Sequence, residues 1–193
     1  MAAATVIKSQ INRLVNSLSI LQDEHQVMIK EFKAVIIKLK ADFLRFLPVD
    51  QAESWTLTFD TLDRELRDSD SIVYEKTTTV MKRLEDQFPT HENHLACTTI
   101  LAELAFCVNQ IRSLRTDYEI QHDCIDSALT TVEEHEVDNR IPVKLGKLLR
   151  FTSSCLRHFC DVNILGLIKH TEAIMTHANR ASDASPATLM DKN

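Results

Sequence analysis

The chain contains only two glycines in 193 residues, and its four prolines stand far apart. Average usage would supply about thirteen glycines. Glycine is the residue of tight turns, hairpins and phosphate-binding loops, so a chain this poor in it has few of them. Proline interrupts helices, and the sequence is divided into four long segments and a tail by Pro48, Pro89, Pro142 and Pro186. This pattern predicts a few long helices.

The spacing of apolar residues supports the same interpretation. From about Thr5 to Phe46 they recur at alternating steps of four and three, which is typical of a helix that packs along one face. The other three segments follow similar patterns, and none shows the two-residue alternation of a strand. We predict an all-α fold of four long antiparallel helices in an up-down-up-down bundle with coiled-coil-like packing. Residues 1–180 are expected to form this bundle and residues 181–193 a disordered tail.

Helix breaks are expected near Pro48, Pro89 and Asn139. In the fourth segment the apolar stripe is taken to include Val162 and Leu165, and Gly166 is expected to mark a kink or a local restart. The residues predicted to be buried in the core are Leu18, Leu21, Met28, Phe32, Val35, Leu104, Val108, Ile111 and Phe159.

Four polar residues occupy positions on the apolar stripes: His25, Asp42, Arg115 and His122. One interpretation is a polar layer inside the bundle that binds a ligand or senses pH. The other, which the sequence favours, is that they set the register of the helices or lie exposed at a groove or a bundle end.

Composition argues against several classes of protein. The formal net charge is −6, which disfavours a nucleic-acid-binding protein and attachment to an anionic membrane. No segment is apolar enough to span a bilayer, and no secretory signal is visible. The five cysteines form no CxxC pair, so reduced thiols packed within helices are expected, in the cytoplasm or, alternatively, the nucleus.

Motifs that carry chemistry are sparse. Glu119 and His122 form half of a di-iron carboxylate pattern, but no second ExxH occurs on another segment. Ser153 and Cys155 stand near His158 without the third group that nucleophilic catalysis requires. No glycine-rich phosphate-binding motif occurs. We therefore expect neither enzymatic activity nor a metal or other cofactor.

The first segment carries more apolar residues than a helix needs to pack against two neighbours. The additional residues beside its main stripe are Val15, Ile29, Ile36 and Phe43. Surplus apolar surface of this kind usually marks a contact site for a partner. The sequence thus predicts a homo- or hetero-oligomer formed through helix–helix contacts with these four residues in the interface.

Basic residues on the first and last segments form a second candidate site, for an anion. They are Lys33, Lys40, Lys144, Lys147, Arg157 and Lys169. In an up-down bundle the first and last helices are neighbours, so these side chains could converge on a ligand with several phosphates. A solvated helix face is the other interpretation.

Three stretches of the chain resemble the SPX domain, a helical module that binds inositol polyphosphates and pyrophosphates. Residues 32–35 (FKAV) with Lys40 resemble its early YKALKKLIK helix, and residues 59–66 (FDTLDREL) resemble its FFELLDREL helix. Residues 157–169 resemble the stretch KNYxxLNxTGFRKILKK. The resemblance implies an anion sensor, with Lys33, Lys40, Arg157 and Lys169 retained as basic positions.

The chain departs from this family at several binding positions. The phosphate-binding tyrosine of the family falls on Phe32, and the lysine one turn later falls on Ile36. The late lysine pair falls on Glu172 and Ala173. We therefore favour a non-enzymatic helical-bundle module that acts through protein–protein interaction, as an adaptor, scaffold or complex subunit. A degenerate SPX-like sensor of inositol polyphosphates is the alternative.

Overall fold

The structure, a computed structural model, describes residues 2–45, 49–88, 97–136 and 143–183. Its first three helices are α1 (Ala2–Leu44), α2 (Val49–Gln87) and α3 (Cys97–Glu136). The described residues contain no strand. The breaks predicted near Pro48, Pro89 and Asn139 fall in the intervals between helices, where the residues themselves lie outside the described ranges.

The fourth segment is one continuous helical rod in three parts. They are α4 (Val143–His158), a π-helical segment (Phe159–Ile164) and α5 (Leu165–Asp183). The rod therefore extends three residues past the domain boundary that the sequence predicts at residue 180. Residues 184–193 of the predicted tail lie outside the described ranges.

Neighbouring helices run in opposite directions, as side-chain pairs between them establish. Lys40 of α1 pairs with Asp60 of α2, whereas Gln22, earlier in α1, donates to Thr78, later in α2, at 3.0 Å. The α2–α3 contact has the same reversed order, from Lys76–Asp117 to Arg83–Glu103. Between α3 and the fourth rod the pairs are Glu133–Arg150 and Arg112–Glu172. Between α1 and the fourth rod they are Glu24–Asn163 and Gln10–His177, again in reversed order. The predicted antiparallel four-helix bundle is confirmed.

The nine residues predicted to form the core are buried with one exception. Eight of the nine residues predicted to be buried lie in the interior, among them Phe32, Leu104 and Ile111. Val35 does not, since 39% of it is exposed. The next residue, Ile36, is buried instead, and Val35 lies at the edge of α1 that faces α4. The prediction for Val35 was wrong because packing along that edge is loose.

The π-helical segment shifts the buried face of the fourth rod by one position. Along α4 the buried residues include Leu149, Thr152 and Leu156, spaced by three and four. In the π-helical segment Phe159, Cys160 and Ile164 are buried, and Cys160 and Ile164 follow Leu156 at two successive steps of four. A π-helical turn accommodates one additional residue, which allows this longer spacing to stay on one face.

This register shift corrects the predicted stripe of the fourth segment. Val162 is exposed and Leu165 is half-buried, while Ile164 and Leu167 take the core positions. Gly166, where a kink or restart was predicted, lies within α5, and the irregular turn of the rod is the π-helical segment that ends two residues earlier at Ile164.

The apolar residues beside the main stripe of α1 pack within the chain. Ile29 and Ile36 are buried in the core, Val15 is half-buried against it, and the side chain of Phe43 lies outside the described part. Positions seven residues apart share a helix face, and Gln22, on the same line, contacts α2. The expectation that Ile29 and Ile36 offer unused surface is therefore corrected, because α2 covers them.

Candidate functional site

The predicted anion-binding residues on α1 face α2 and not the fourth rod. Lys40 forms an ion pair with Asp60 of α2. Lys33 precedes Lys40 by seven residues, which places it on the same face of α1. Both lysines therefore point away from the basic residues of α4 and α5.

The predicted residues on the fourth rod are also dispersed. Arg157 turns toward α3, where its Nη2 lies 3.3 Å from Nε2 of His122. Lys169 lies between Asn163 and His177, which contact α1 at Glu24 and Gln10, so it is level with the first half of α1. Lys144 and Lys147 are exposed at the start of α4, near the other end of the bundle. The six residues do not converge on one ligand.

A groove between α1 and α4 is the most distinctive apolar surface feature in the described part of the chain. Its volume is about 700 Å³. Met28 and Phe159 form its buried floor, and Val27 and Phe151 form walls that are 56% and 60% exposed. Large apolar side chains are normally covered when they lie together in this way. The groove is therefore a candidate contact surface.

The groove is open because α1 packs unevenly against its two neighbours. It contacts α2 along much of its length but contacts α4 only sparsely. Leu149 and Leu156 of α4 are fully buried, whereas Phe151, Ser154 and Cys155 line the gap toward α1.

A second groove continues the first toward α5. It has a volume of about 400 Å³ and shares Glu24 and His158 with the first. Its wall includes the exposed Ile20, and Gly166 lines it without any atom within 4 Å of the position where a Cβ would lie. Together the two grooves follow α1 from Ser17 to Glu31, a distance of about 21 Å at the rise of an α-helix.

The rim of the first groove on α1 is acidic. Asp23, Glu24 and Glu31 line it, and all three are exposed. Glu24 accepts a hydrogen bond from Asn163 Nδ2 at 3.3 Å. Within the described ranges, Asp23 and Glu31 form no ion pair. The groove thus combines an apolar floor with carboxylates that have no cationic partner in the described part of the chain.

A buried polar cluster lies directly beneath this groove. His25 of α1 and Tyr118 of α3 form a hydrogen bond of 2.9 Å between Nδ1 and Oη. The phenol of Tyr118 stacks on Phe159 of the groove floor, with ring centroids 5.5 Å apart. Burial, together with the charge of Lys33, lowers the pKa of His25 to about 4. His25 is therefore not exposed at a groove or a bundle end, and its buried position is compatible both with a polar layer and with a role in setting helix register.

His122 belongs to a cluster that joins α3 to α4. Ser153 Oγ donates to Asp126 at 2.6 Å and lies 3.1 Å from Nε2 of His122. Arg157 also reaches this nitrogen, which cannot accept from Arg157 and at the same time donate to Ser153. The hydroxyl proton of Ser153 is held by Asp126, so the cluster lacks the free hydroxyl-to-imidazole bond that activates a serine nucleophile.

The four cysteine thiols that the structure describes are not activated either. Burial raises the pKa of the four described thiols, to about 12 for Cys107 and about 11 for Cys160. A thiol with a raised pKa carries little thiolate and is a poor nucleophile. The side chain of Cys97, the fifth cysteine, lies outside the described part of the chain. In the described ranges, no group of three His, Cys, Asp or Glu residues is arranged to hold a metal ion.

Comparison of the chain with protein-family models, with curated proteins and with solved structures gave no match. None of the described helices is both long and apolar enough to cross a lipid bilayer. The site therefore has to be interpreted from its own residues.

The sequence pattern predicted the buried floor of the groove but did not single out its walls, Val27 and Phe151. Ile20 and Val27 are seven residues apart and form a second apolar line on α1, so a signal for one wall was present. Phe151 has polar residues directly on both sides in the sequence, although Leu148 and Cys155 share its helix face at spacings of three and four. Its position in a groove depends on how α4 packs, which the local pattern does not encode.

Proposed function

We propose that this chain is a non-enzymatic helical-bundle module that binds a helix of a partner protein in the groove between α1 and α4. The observation that carries the proposal is the exposure of Val27 and Phe151 on opposite walls of one apolar groove. A helix laid between them would cover both side chains and the floor below. We place this function in the cytoplasm or nucleus, where the cysteines would remain reduced.

The dimensions of the two joined grooves support a helical occupant. A groove of about 21 Å matches a helix of about 14 residues, or four turns. Helices docked in grooves present apolar anchors at spacings of three, four and seven residues. Ile20 and Val27, seven residues apart on α1, are spaced to contact successive anchors of such a helix.

Affinity capture from cell extracts with matched variants tests the proposal. Phe151→Glu and Val27→Glu place a charge in the groove, while Ile120→Glu makes the same kind of change on α3, where Ile120 is 59% exposed. A partner held by the wild type and by Ile120→Glu, but lost from both groove variants, is expected. Capture that is the same for all four proteins would contradict a role for the groove.

The alternative function, an SPX-like sensor of inositol polyphosphates, draws support from the exposed Lys144 and Lys147 on the first turns of α4. Titration with inositol hexakisphosphate distinguishes the two proposals. We expect binding to be weak and sensitive to salt. Tight binding at physiological salt that is abolished by Lys33→Ala or Lys169→Ala would favour the sensor instead.

A further inference from the structure

We infer that the helix that occupies this groove is basic, with lysine or arginine residues flanking its apolar stripe. The inference rests on the proposed function, because it specifies the partner of the same groove. The acidic charges on the rim indicate this chemical class of partner, and binding of a basic helix can be tested before the partner protein is identified.

The charge of the groove is supplied by α1. Asp23, Glu24 and Glu31 lie along its rim, and Asp23 and Glu31 have no ion-pair partner in the described part of the chain. Complementary charges at the edge of an interface select the partner and set its register. A helix with cations beside its apolar anchors would neutralise this rim, whereas an acidic helix would be repelled.

The acidic stretch has a definite length. From Asp23 to Glu31 it covers about 12 Å, or a little over two helical turns. Seven residues beyond Glu31, on the same face of α1, the sequence has Lys38, and the corresponding face of α4 begins with Lys144 and Lys147. The cations of the partner are therefore expected along the groove between Asp23 and Glu31 and not beyond Glu31.

The rim charge argues against a second copy of this chain as the occupant. In a two-fold symmetric dimer the same surface contacts itself, which would bring Asp23 and Glu31 of one copy close to those of the other. The chain also has a net charge of −6, so association between copies meets general repulsion. A basic helix from a different protein satisfies both the apolar floor and the rim.

The test uses a fluorescein-labelled peptide of about 14 residues, with leucine at helical spacings of three and four and lysine elsewhere. One comparison peptide has glutamate in place of lysine, and another has the same composition with the leucine spacing scrambled. Affinity for the full chain is measured by fluorescence anisotropy at physiological salt. The lysine peptide is expected to bind, and the two comparison peptides at least about ten-fold more weakly.

Charge-reversal variants locate the binding. The double variant Asp23→Lys with Glu31→Lys is expected to bind the lysine peptide about ten-fold or more weakly than the wild type and to bind the glutamate peptide more tightly. Asp68→Lys combined with Glu75→Lys changes the net charge equally on the exposed face of α2 and is the matched control. Equal weakening by both pairs would overturn the inference, because it would show binding through net charge alone.

The apolar floor is tested separately by Phe151→Ala, which removes a wall of the groove without changing its charge. Loss of binding in this variant, together with loss on charge reversal, is the expected result. If the glutamate peptide binds the wild-type groove as well as the lysine peptide and Phe151→Ala weakens both, the inference fails but the proposed function stands. If Phe151→Ala changes the affinity of neither peptide, the inference fails. The proposed function fails separately, if no protein captured from cell extracts depends on the groove.

Discussion

His25 and Tyr118 are hydrogen-bonded across the diagonal of the bundle, at 2.9 Å between Nδ1 and Oη. They lie on α1 and α3, which face each other through the core and are not adjacent. Burial raises the pKa of Tyr118, so its hydroxyl keeps its proton and can donate to Nδ1. The proton of neutral His25 is then on Nε2, which faces Oδ1 of Asp70 at 3.9 Å. This polar contact thus joins two helices that face each other across the core.

Removal of the Tyr118 hydroxyl should destabilise the fold. In Tyr118→Phe the buried Nδ1 of His25 loses its partner, which is expected to cost about 1–3 kcal/mol in the free energy of unfolding. Denaturant melts measure this loss. Tyr74→Phe makes the same change at an exposed position and is expected to alter stability by less than about 0.5 kcal/mol.

A double variant identifies the hydrogen bond as the cause. Replacing both polar groups, in His25→Leu with Tyr118→Phe, leaves no unpartnered atom, so the combined loss should be smaller than the sum of the two single losses. Strict additivity would contradict a direct energetic link between His25 and Tyr118.

The burial of His25 makes stability depend on pH. Its pKa is lowered from 6.5 to about 4 in the folded chain, mainly by burial. As pH falls, His25 therefore binds a proton in the unfolded chain before it does so in the folded chain. The stability that the folded chain gains from neutral His25 is complete above pH 6.5 and is lost between pH 6.5 and about 4. The expected loss over this window is on the order of 3 kcal/mol.

The contribution of His25 is separated from that of other groups by His25→Asn, which cannot titrate. The charged and titratable groups facing His25 are Lys33 on its own helix, Asp70 on α2 and Tyr118 on α3. Denaturant melts at pH 7 and pH 5 should show a smaller pH dependence for the variant than for the wild type. Identical slopes would show that His25 is not held neutral in the folded chain.

Phe32 should contribute strongly to the core. Its side chain is almost fully buried, and Phe32→Ala is expected to cost about 3–5 kcal/mol by leaving a cavity. Val35→Ala is the neighbouring control, and because Val35 is 39% exposed its loss should stay below about 1 kcal/mol. If the two variants melted at similar denaturant concentrations, the assigned core face of α1 would be wrong.

Gly166→Ala should stabilise the chain. Gly166 lies in α5, and a Cβ there would have no atom within 4 Å, so alanine improves helix propensity without a clash. The expected gain is about 0.5–1 kcal/mol by thermal or denaturant unfolding. Ala173→Gly, at an exposed position of the same helix, should lose a similar amount. A destabilised Gly166→Ala would indicate that the groove wall is closed at this point.

The sequence predicted the architecture because the helices are long and their apolar spacing is regular. Leu18, Leu21 and Phe32 could be assigned to the core from spacing alone, since position on a helix face is a local property. Which neighbour covers a face is not local. The apolar residues from Val15 to Phe43 beside the main stripe of α1 predict free surface, but two of them, Ile29 and Ile36, are buried in the core. They share a helix face with Gln22, which contacts α2.

The register of the fourth rod was a second point where spacing alone was insufficient. A regular helix places Val162 on the stripe after Phe159, but the π-helical segment inserts one residue and brings Ile164 to the core instead. The floor residues Met28 and Phe159 lie on the predicted stripes, but whether a groove opens above them depends on the loose contact between α1 and α4. The groove could therefore be found only in the folded chain.

Site-specific photo-crosslinking in cells tests most directly whether a partner binds in the groove between α1 and α4. The photoreactive amino acid p-benzoylphenylalanine is placed at Val27, in the groove, and in a second protein at Ile120, which is exposed to a similar extent on α3. We expect the Val27 position to crosslink to a partner through a basic amphipathic helix and the Ile120 position not to crosslink to it. Crosslinking to the same partner from Ile120, or none from Val27, would contradict binding in the groove between α1 and α4.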